Sequence, residues 1–157
     1  DSRSVRFLMN KAFTKELDTL GGACPRCGSS GKTVADETLR AFARPDRADD
    51  VARPAYFCDV ASCPVVYFDD FERTLTADDL TRPIWPKNPA APVCGCFDFH
   101  VREIDSDLAE GTVSRTKQAV ARSNGPEARC LLHSPDGRSC AEAIQRYYFK
   151  NRPGPST

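Results

Sequence analysis

The chain has 157 residues, enough for one ordinary domain or two small ones. Hydrophobic residues make up 40% and charged residues 28%, which excludes general disorder, and no apolar run reaches the length of a membrane span. Lys and Arg number 22 and Asp and Glu number 22, so the overall charge supplies no positive footprint for nucleic acid.

Residues 4–20 predict an amphipathic helix. Leu8, Ala12 or Phe13, Leu17 and Leu20 share one face, Lys11, Lys15, Glu16 and Asp18 face water, and Gly21-Gly22 ends it. Residues 1–11 carry charges and lack the apolar stretch of a secretory signal, so a cytoplasmic setting is expected. Residues 43–55 (ARPDRADDVARPA) are charged and hold two prolines, which reads as an exposed loop. Tyr56-Phe57 and Val65-Val66-Tyr67-Phe68 are β-branched or aromatic and read as strands joined by a turn over 58–63. A small antiparallel sheet with a metal at one end follows. In residues 81–92 (TRPIWPKNPAAP), Pro83, Pro86, Pro89 and Pro92 recur every third residue, the period of a polyproline II helix. The ordinary reading is a semi-rigid spacer pinned by Trp85; the sharper one is a docking ligand for an aromatic groove. Residues 93–150 read as mostly helical. Val101, Ile104 and Leu108 share a face that ends at Gly111. Val113, Lys117 and Val120 continue a second helix capped by Thr112 or Ser114, and a third covers 141–150 with Ile144 and Tyr147 or Tyr148 inward. The fold class is α+β: a small metal-bound β module, then a mostly helical one.

The eight cysteines fall as four close pairs: Cys24 and Cys27, Cys58 and Cys63, Cys94 and Cys96, Cys130 and Cys140. An even count permits the disulfides of a secreted scaffold. C-x-x-C and C-x-C, however, are awkward disulfides and good bidentate metal clips, because both sulfurs can converge on one ion. Cys24-Pro25-Arg26-Cys27-Gly28 has the form of a zinc knuckle, in which backbone N–H groups point at the sulfurs and Gly28 relieves strain where the chain curls back. With Cys58 and Cys63 it suits a tetrahedral Zn²⁺; iron in a rubredoxin-like site is the competitor. A thioredoxin-type redox pair would need a βαβ context that is absent. The second constellation, Cys94-Gly95-Cys96 with Cys130 and Cys140, suits a [2Fe–2S] cluster or, on spacing alone, a second zinc. Gly95 would let the backbone approach the inorganic sulfides, and Arg129 and Arg138 lie next to ligands in sequence and would offset cluster charge. Eight thiolates against one Zn²⁺ and one oxidised two-iron core would bring the chain to about −4.

C-G-C-F at 94–97, the helix after it, and C-L-L-H-S-P-D-G-R-S-C at 130–140 resemble the [2Fe–2S] module of bacterioferritin-associated ferredoxins. They resemble that of CopZ-type copper chaperones more closely. In that family the cluster module follows a zinc module, as C-P-R-C-G and then Y-F-C-D-V-A-S-C-P-V-V-Y-F precede it here. The resemblance covers roughly residues 23–148 and the order of all eight cysteines. It implies that Cys24, Cys27, Cys58 and Cys63 ligate zinc and that Cys94, Cys96, Cys130 and Cys140 ligate [2Fe–2S]. It also implies one-electron transfer to a redox or copper-handling partner, with Cu(II) reduced to Cu(I); membrane insertion is not expected, for want of a long apolar run. The units expected are an N-terminal helix (1–22), a zinc module (23–82), a spacer (83–92), a cluster module (93–150) and a tail (151–157).

Two features depart from the family pattern. His100 stands where Thr or Ser often caps the helix after C-x-C. The M-x-C-x-x-C copper loop that follows the cluster module is not in this sequence, which holds one methionine, Met9, and no ninth cysteine. His100 and His133 neighbour the second cysteine set and read either as capping or solvent-facing residues or as groups that tune a cluster. No Ser–His–Asp set, carboxylate pair or phosphate-binding glycine loop is recognisable, so hydrolase and transferase chemistry is not expected. The alternative function is an interaction module whose metals are purely structural.

Overall fold

The computed structural model describes residues 22–153, so the helix expected over 4–20 and the end of the tail lie outside the described residues. Four short strands form one antiparallel sheet in sequence order: β1 (Lys32–Val34), β2 (Ala55–Phe57), β3 (Val65–Phe68) and β4 (Thr74–Thr76). β2 and β3, expected from their aromatic and β-branched residues, pair Tyr56 with Phe68 and Phe57 with Tyr67. Both are buried along their whole length, because the sheet is covered on both sides. Side chains alternate across a strand, so Ala55 and Phe57 enter one core with Leu39, Phe42 and Leu75, while Tyr56 points to the opposite face. There Tyr56, Val65 and Phe68 pack with Cys24, Cys58 and Cys63. The cysteine end of the sheet is thus built into a core.

Helix α1 (Asp36–Phe42) crosses the first face with Thr38, Leu39 and Phe42 buried. The segment 43–55 differs from the exposed loop expected. It contains a single 3-10 turn, Ala48–Asp50, and sends Ala48 (1% exposed) and Val51 (2%) into the core. Its charged residues turn outward onto specific partners: Arg53 on Asp36 at 2.7 Å, Arg40 on Asp49 at 2.8 Å and Arg47 on Asp79 at 3.0 Å. Four small alanines and one valine, scattered among charges and prolines, do not register as an apolar pattern.

The Pro-rich stretch is also corrected. A polyproline II helix has no internal hydrogen bonds, whereas here the Asn88 N–H donates to the Ile84 carbonyl (2.8 Å) and the Ala91 N–H to that of Asn88 (3.0 Å). The segment is a string of turns. Trp85 does pin it, meeting Tyr147 edge-on with ring centroids 5.7 Å apart.

Beyond it lie α2 (Val101–Glu110), α3 (Ser114–Ser123), α4 (Cys130–His133) and α5 (Ala141–Asn151). α2, α3 and α5 pack on one another around Ile104, Ala119 and Ile144. α2 ends at Gly111 as expected. α3 buries Thr116, Ala119 and Ser123, a small and mostly polar face, with Val120 packed against the same core. The reason is Asp107, fully buried on α2, which accepts the Thr116 N–H (2.7 Å) and hydroxyl (2.8 Å) and pairs with Arg115 (2.9 Å). Satisfying that carboxylate turns the small polar face of α3 inward.

The helical region closes against the sheet. The Tyr67 hydroxyl donates to the Pro135 carbonyl (2.5 Å), and Arg82 to that of Leu132 (2.6 Å). Lys32 on β1 reaches Asp136 (3.7 Å) and Glu142 (3.5 Å). The architecture is α+β, a four-stranded antiparallel sheet with a four-cysteine site followed by a helical region that carries the other four cysteines. No helix among the described residues is long and apolar enough to cross a membrane.

Candidate metal centres

The turn carrying Cys24 and Cys27 is closed by its own backbone. The Gly28 N–H donates to the Cys24 carbonyl and the Cys24 N–H to that of Ser29, each at 2.8 Å. Gly28 holds φ at +79°, a left-handed conformation that a Cβ penalises. Cys58 follows β2 and Cys63 precedes β3, and the connection is tied by the Cys63 N–H to the Val60 carbonyl (3.1 Å). Two chain segments thirty residues apart therefore deliver their pairs to one point.

All four sulfurs lie within 4.8 Å of one another. Cys24 Sγ is 3.9 Å from Cys63 Sγ, and Cys27 Sγ is 3.6 Å from Cys58 Sγ. Those separations are far beyond a disulfide bond of about 2.05 Å, and none of the eight cysteines is disulfide-bonded. Four Zn–S bonds of about 2.3 Å in a tetrahedron put the sulfurs about 3.8 Å apart, which is the spacing found. Backbone N–H groups of Ser29, Val60 and Val65 point at Cys27, Cys58 and Cys63 respectively, as a knuckle requires.

The electrostatics of the set call for a cation. The Ser29 hydroxyl, with its N–H, lowers the exposed Cys27 thiol to about 6. Burial pushes Cys63 up to about 12 and raises Cys58 as well. Thiolates this close cannot all ionise against one another without a positive charge among them, and a divalent ion supplies it. This is a zinc-type four-cysteine site.

One cation already faces it. Lys87, from the Pro-rich stretch, donates through Nζ to the Val60 carbonyl (2.6 Å), the Cys63 carbonyl (2.9 Å) and, at 3.5 Å, Cys58 Sγ. Lys87 and Ser29 are residues in contact with the site that the sequence reading missed. Ser29, a hydroxyl directly after a C-P-x-C-G turn, was findable. Lys87 was not, because nothing in a Pro-rich segment marks one lysine as facing a loop some twenty-five residues earlier.

The second set is arranged differently. Cys94 and Phe99 form a bridge, Cys94 N–H to Phe99 carbonyl at 3.1 Å and the reverse at 3.0 Å, and Gly95 and Cys96 fall in the turn between them. A Cβ on Gly95 would overlap the His133 carbonyl oxygen, so this glycine seats the C-G-C turn against α4. Cys130 opens α4 and Cys140 is the N-cap of α5. Cys94 adjoins both Cys140 and Cys96, and Cys96 adjoins Cys130, so the four thiols act on one another as a chain. Among the described residues, the four-sulfur convergence within 4.8 Å belongs to the first set alone. The Cys140 thiol is the largest influence lowering Cys94, to about 6, while the Cys94 sulfur and burial push Cys140 up; burial raises Cys96 to about 11. Cys94 (0% exposed) and Cys140 (4%) are buried, whereas Cys96 and Cys130 are half-exposed. The Arg129 N–H donates to Cys96 Sγ at 3.2 Å, and N–H groups of Phe97 and Cys96 reach Cys94.

The neighbouring charged residues sit as follows. The Arg129 guanidinium bonds the Pro126 carbonyl (3.2 Å), and that of Arg138 the Asp136 carbonyl (3.2 Å). His100 caps α2, with its N–H on the Glu103 carboxylate at 3.0 Å and its Nδ1 3.2 Å from the Asp98 carbonyl oxygen. His133 ends α4.

Residues 21–81 match the family model of the CopZ zinc binding domain. The copper chaperone CopZ of Archaeoglobus fulgidus is 25% identical over 126 residues, 80% of this chain. The chain spans 61% of the length of that relative. The X-ray structure of the Archaeoglobus fulgidus CopZ N-terminal domain superposes with a TM-score of 0.68 at 22% identity, covering 83% of this chain and 98% of that one. That likeness carries the fold. The matched segment, 21–81, is the one that holds the knuckle and its four converging sulfurs.

Proposed function

We propose that this chain is a zinc- and [2Fe–2S]-binding redox protein that passes single electrons to a partner. In this reading Cys24, Cys27, Cys58 and Cys63 hold a structural Zn²⁺, and Cys94, Cys96, Cys130 and Cys140 hold the cluster. The zinc module would run over 23–82, the spacer over 83–92 and the cluster module over 93–150. The observation that supports the second assignment is that its four thiols adjoin one another without the single-point convergence of the first set, with backbone N–H groups at Cys94 and Cys96. One tetrahedral ion needs four mutually close sulfurs; a two-iron core spreads its four ligands over two irons, with backbone N–H groups at the sulfurs.

When bound, such a cluster supplies one-electron exchange. The chain's own residues decide where an electron leaves. Cys94 and Cys140 are sealed in the core of Ile104 and Ile144, while Cys96 and Cys130 form an accessible edge beside Leu131 and Leu132, each 45% exposed. A partner would dock at that edge. The similarity to a copper chaperone supports copper handling, in which one electron delivered to Cu(II) yields Cu(I), with a reduced cytoplasmic carrier protein restoring the electron.

Anaerobic purification with iron, sulfide and zinc analysis tests the reading. We expect two irons, two acid-labile sulfides and one zinc per chain. Cys96→Ala or Cys130→Ala should abolish the visible chromophore and leave zinc in place. A colourless, iron-free protein with zinc at both sites overturns the cluster. A chromophore that dithionite does not bleach reversibly would leave the metals structural and make the chain an interaction module.

A further inference from the structure

Lys87 spends its ammonium in an unusual way. A lysine head is strongly hydrated and ordinarily stays in water on a flexible stem. Here it is half-buried, with its three N–H donors turned into one short loop. Two go to the carbonyls of Val60 and Cys63, inside and at the end of the segment bearing two sulfurs of the first site, and the third goes to Cys58 Sγ. Removing an ammonium from water for two carbonyls and a neutral thiol is a poor exchange. It becomes a good one when the sulfur is a thiolate, because charge-assisted hydrogen bonds are roughly twice as strong as neutral ones. A divalent ion with four thiolates carries −2, and Lys87 is placed to offset half of it.

We propose that Lys87 is a positioning residue of the four-cysteine centre: delivered by the Pro-rich stretch, its ammonium clamps the 58–63 loop around the metal and withdraws electron density from the Cys58 thiolate. The inference rests on the zinc assignment made above. It gives that stretch a role beyond spacing, since Trp85 fastens it to α5 and Lys87, two residues on, fastens it to the metal loop. Loss of such an outer partner typically costs 10- to 100-fold in metal affinity.

The test uses the full chain loaded with Zn²⁺ or Co²⁺, comparing Lys87 with Lys87→Met and Lys87→Arg. Met keeps the stem and drops charge and donors; Arg restores both. Competition with a chromophoric chelator should show Zn²⁺ affinity falling about 10- to 100-fold in Lys87→Met and largely recovering in Lys87→Arg. The sulfur-to-cobalt charge-transfer band, read as a Co²⁺-minus-Zn²⁺ difference spectrum to cancel any cluster absorption, should move to longer wavelength in Lys87→Met. A thiolate that loses its N–H donor is the stronger electron donor. A residue that only staples the loop would lower thermal stability and leave that band in place. An unmoved band with affinity within about twofold of wild type overturns the proposal. If Lys87→Met does not fold, Lys87→Gln, which keeps a donor without the charge, gives the same reading: weakened affinity supports the proposal and wild-type affinity overturns it. A wild-type chain that takes up neither metal at the first site overturns the zinc assignment itself, and the role of Lys87 with it.

Discussion

Gly95 shows how one missing methyl group can organise a site. Its sequence position between two cysteines suggests a backbone that must approach a cluster closely. The structure adds a reason independent of any cluster: the Cα faces the His133 carbonyl oxygen, and no Cβ fits between them. Gly95→Ala must therefore push the C-G-C turn off α4 and separate Cys96 from Cys130, which lies three residues before His133. Overpacking of this kind costs about 1–3 kcal/mol. We expect a lower thermal midpoint together with reduced iron content, and wild-type values for both would show that α4 yields without consequence.

At the scale of elements, the corner between α2 and α3 is held by a charge. Asp107 is fully buried and α3 has no side-chain cap of its own, so the carboxylate supplies its first-turn N–H with an acceptor from the preceding helix. Burial works against ionisation, but the Thr116 N–H and hydroxyl and the Arg115 guanidinium outweigh it and hold Asp107 below the usual carboxylate range. Asp69 is held low in the same manner, by N–H groups of Ala52, Arg73 and Phe71 and by the Arg73 side chain. A carboxyl whose folded pKa lies below its unfolded one contributes stability above the unfolded value, about 4, and loses it as pH falls through the folded value. Chemical denaturation should show stability declining below about pH 4, with a shallower decline in Asp107→Asn. At pH 7, Asp107→Ala should cost about 3 kcal/mol, because Thr116 and Arg115 lose a buried partner. An acid limb of equal slope in Asp107→Asn would mean that other groups carry it.

For the whole molecule, the first metal site is part of a core and not an appendage. Cys24, Cys58 and Cys63 pack with Tyr56, Val65 and Phe68 on one face of the sheet, so the metal and the hydrophobic cluster form together. Structural zinc contributes on the order of 10 kcal/mol in small peptides, comparable with the whole stability of a small domain. Chelation, or Cys24→Ser with Cys27→Ser, should therefore lower the calorimetric midpoint sharply. An unchanged midpoint would require the site to be reassigned. Zinc loss should also loosen the Pro-rich stretch through Lys87, while Tyr67, Arg82 and Lys32 still join the sheet to the helical region.

What the sequence determined by itself is local. Short cysteine spacings announce chelation because two sulfurs a few residues apart can converge without help from the rest of the fold, and the C-P-R-C-G turn was legible for that reason. β2 and β3 were legible from runs of aromatic and β-branched residues, and α2 and α5 from a 3.6-residue apolar period, with Gly111 to end α2. Three-residue strands such as β1 and β4 and the seven-residue α1 are too short for periodicity to declare them. The tertiary structure decided every pairing across distance. It brought Cys94 to Cys140 and Cys96 to Cys130, sank Ala48 and Val51 out of a charged loop, turned α3 on Asp107, folded the prolines into turns and laid Lys87 against the metal loop. Those outcomes follow from which buried polar groups find partners and which surfaces close on each other, and the partners stand tens of residues apart, beyond the reach of any local pattern.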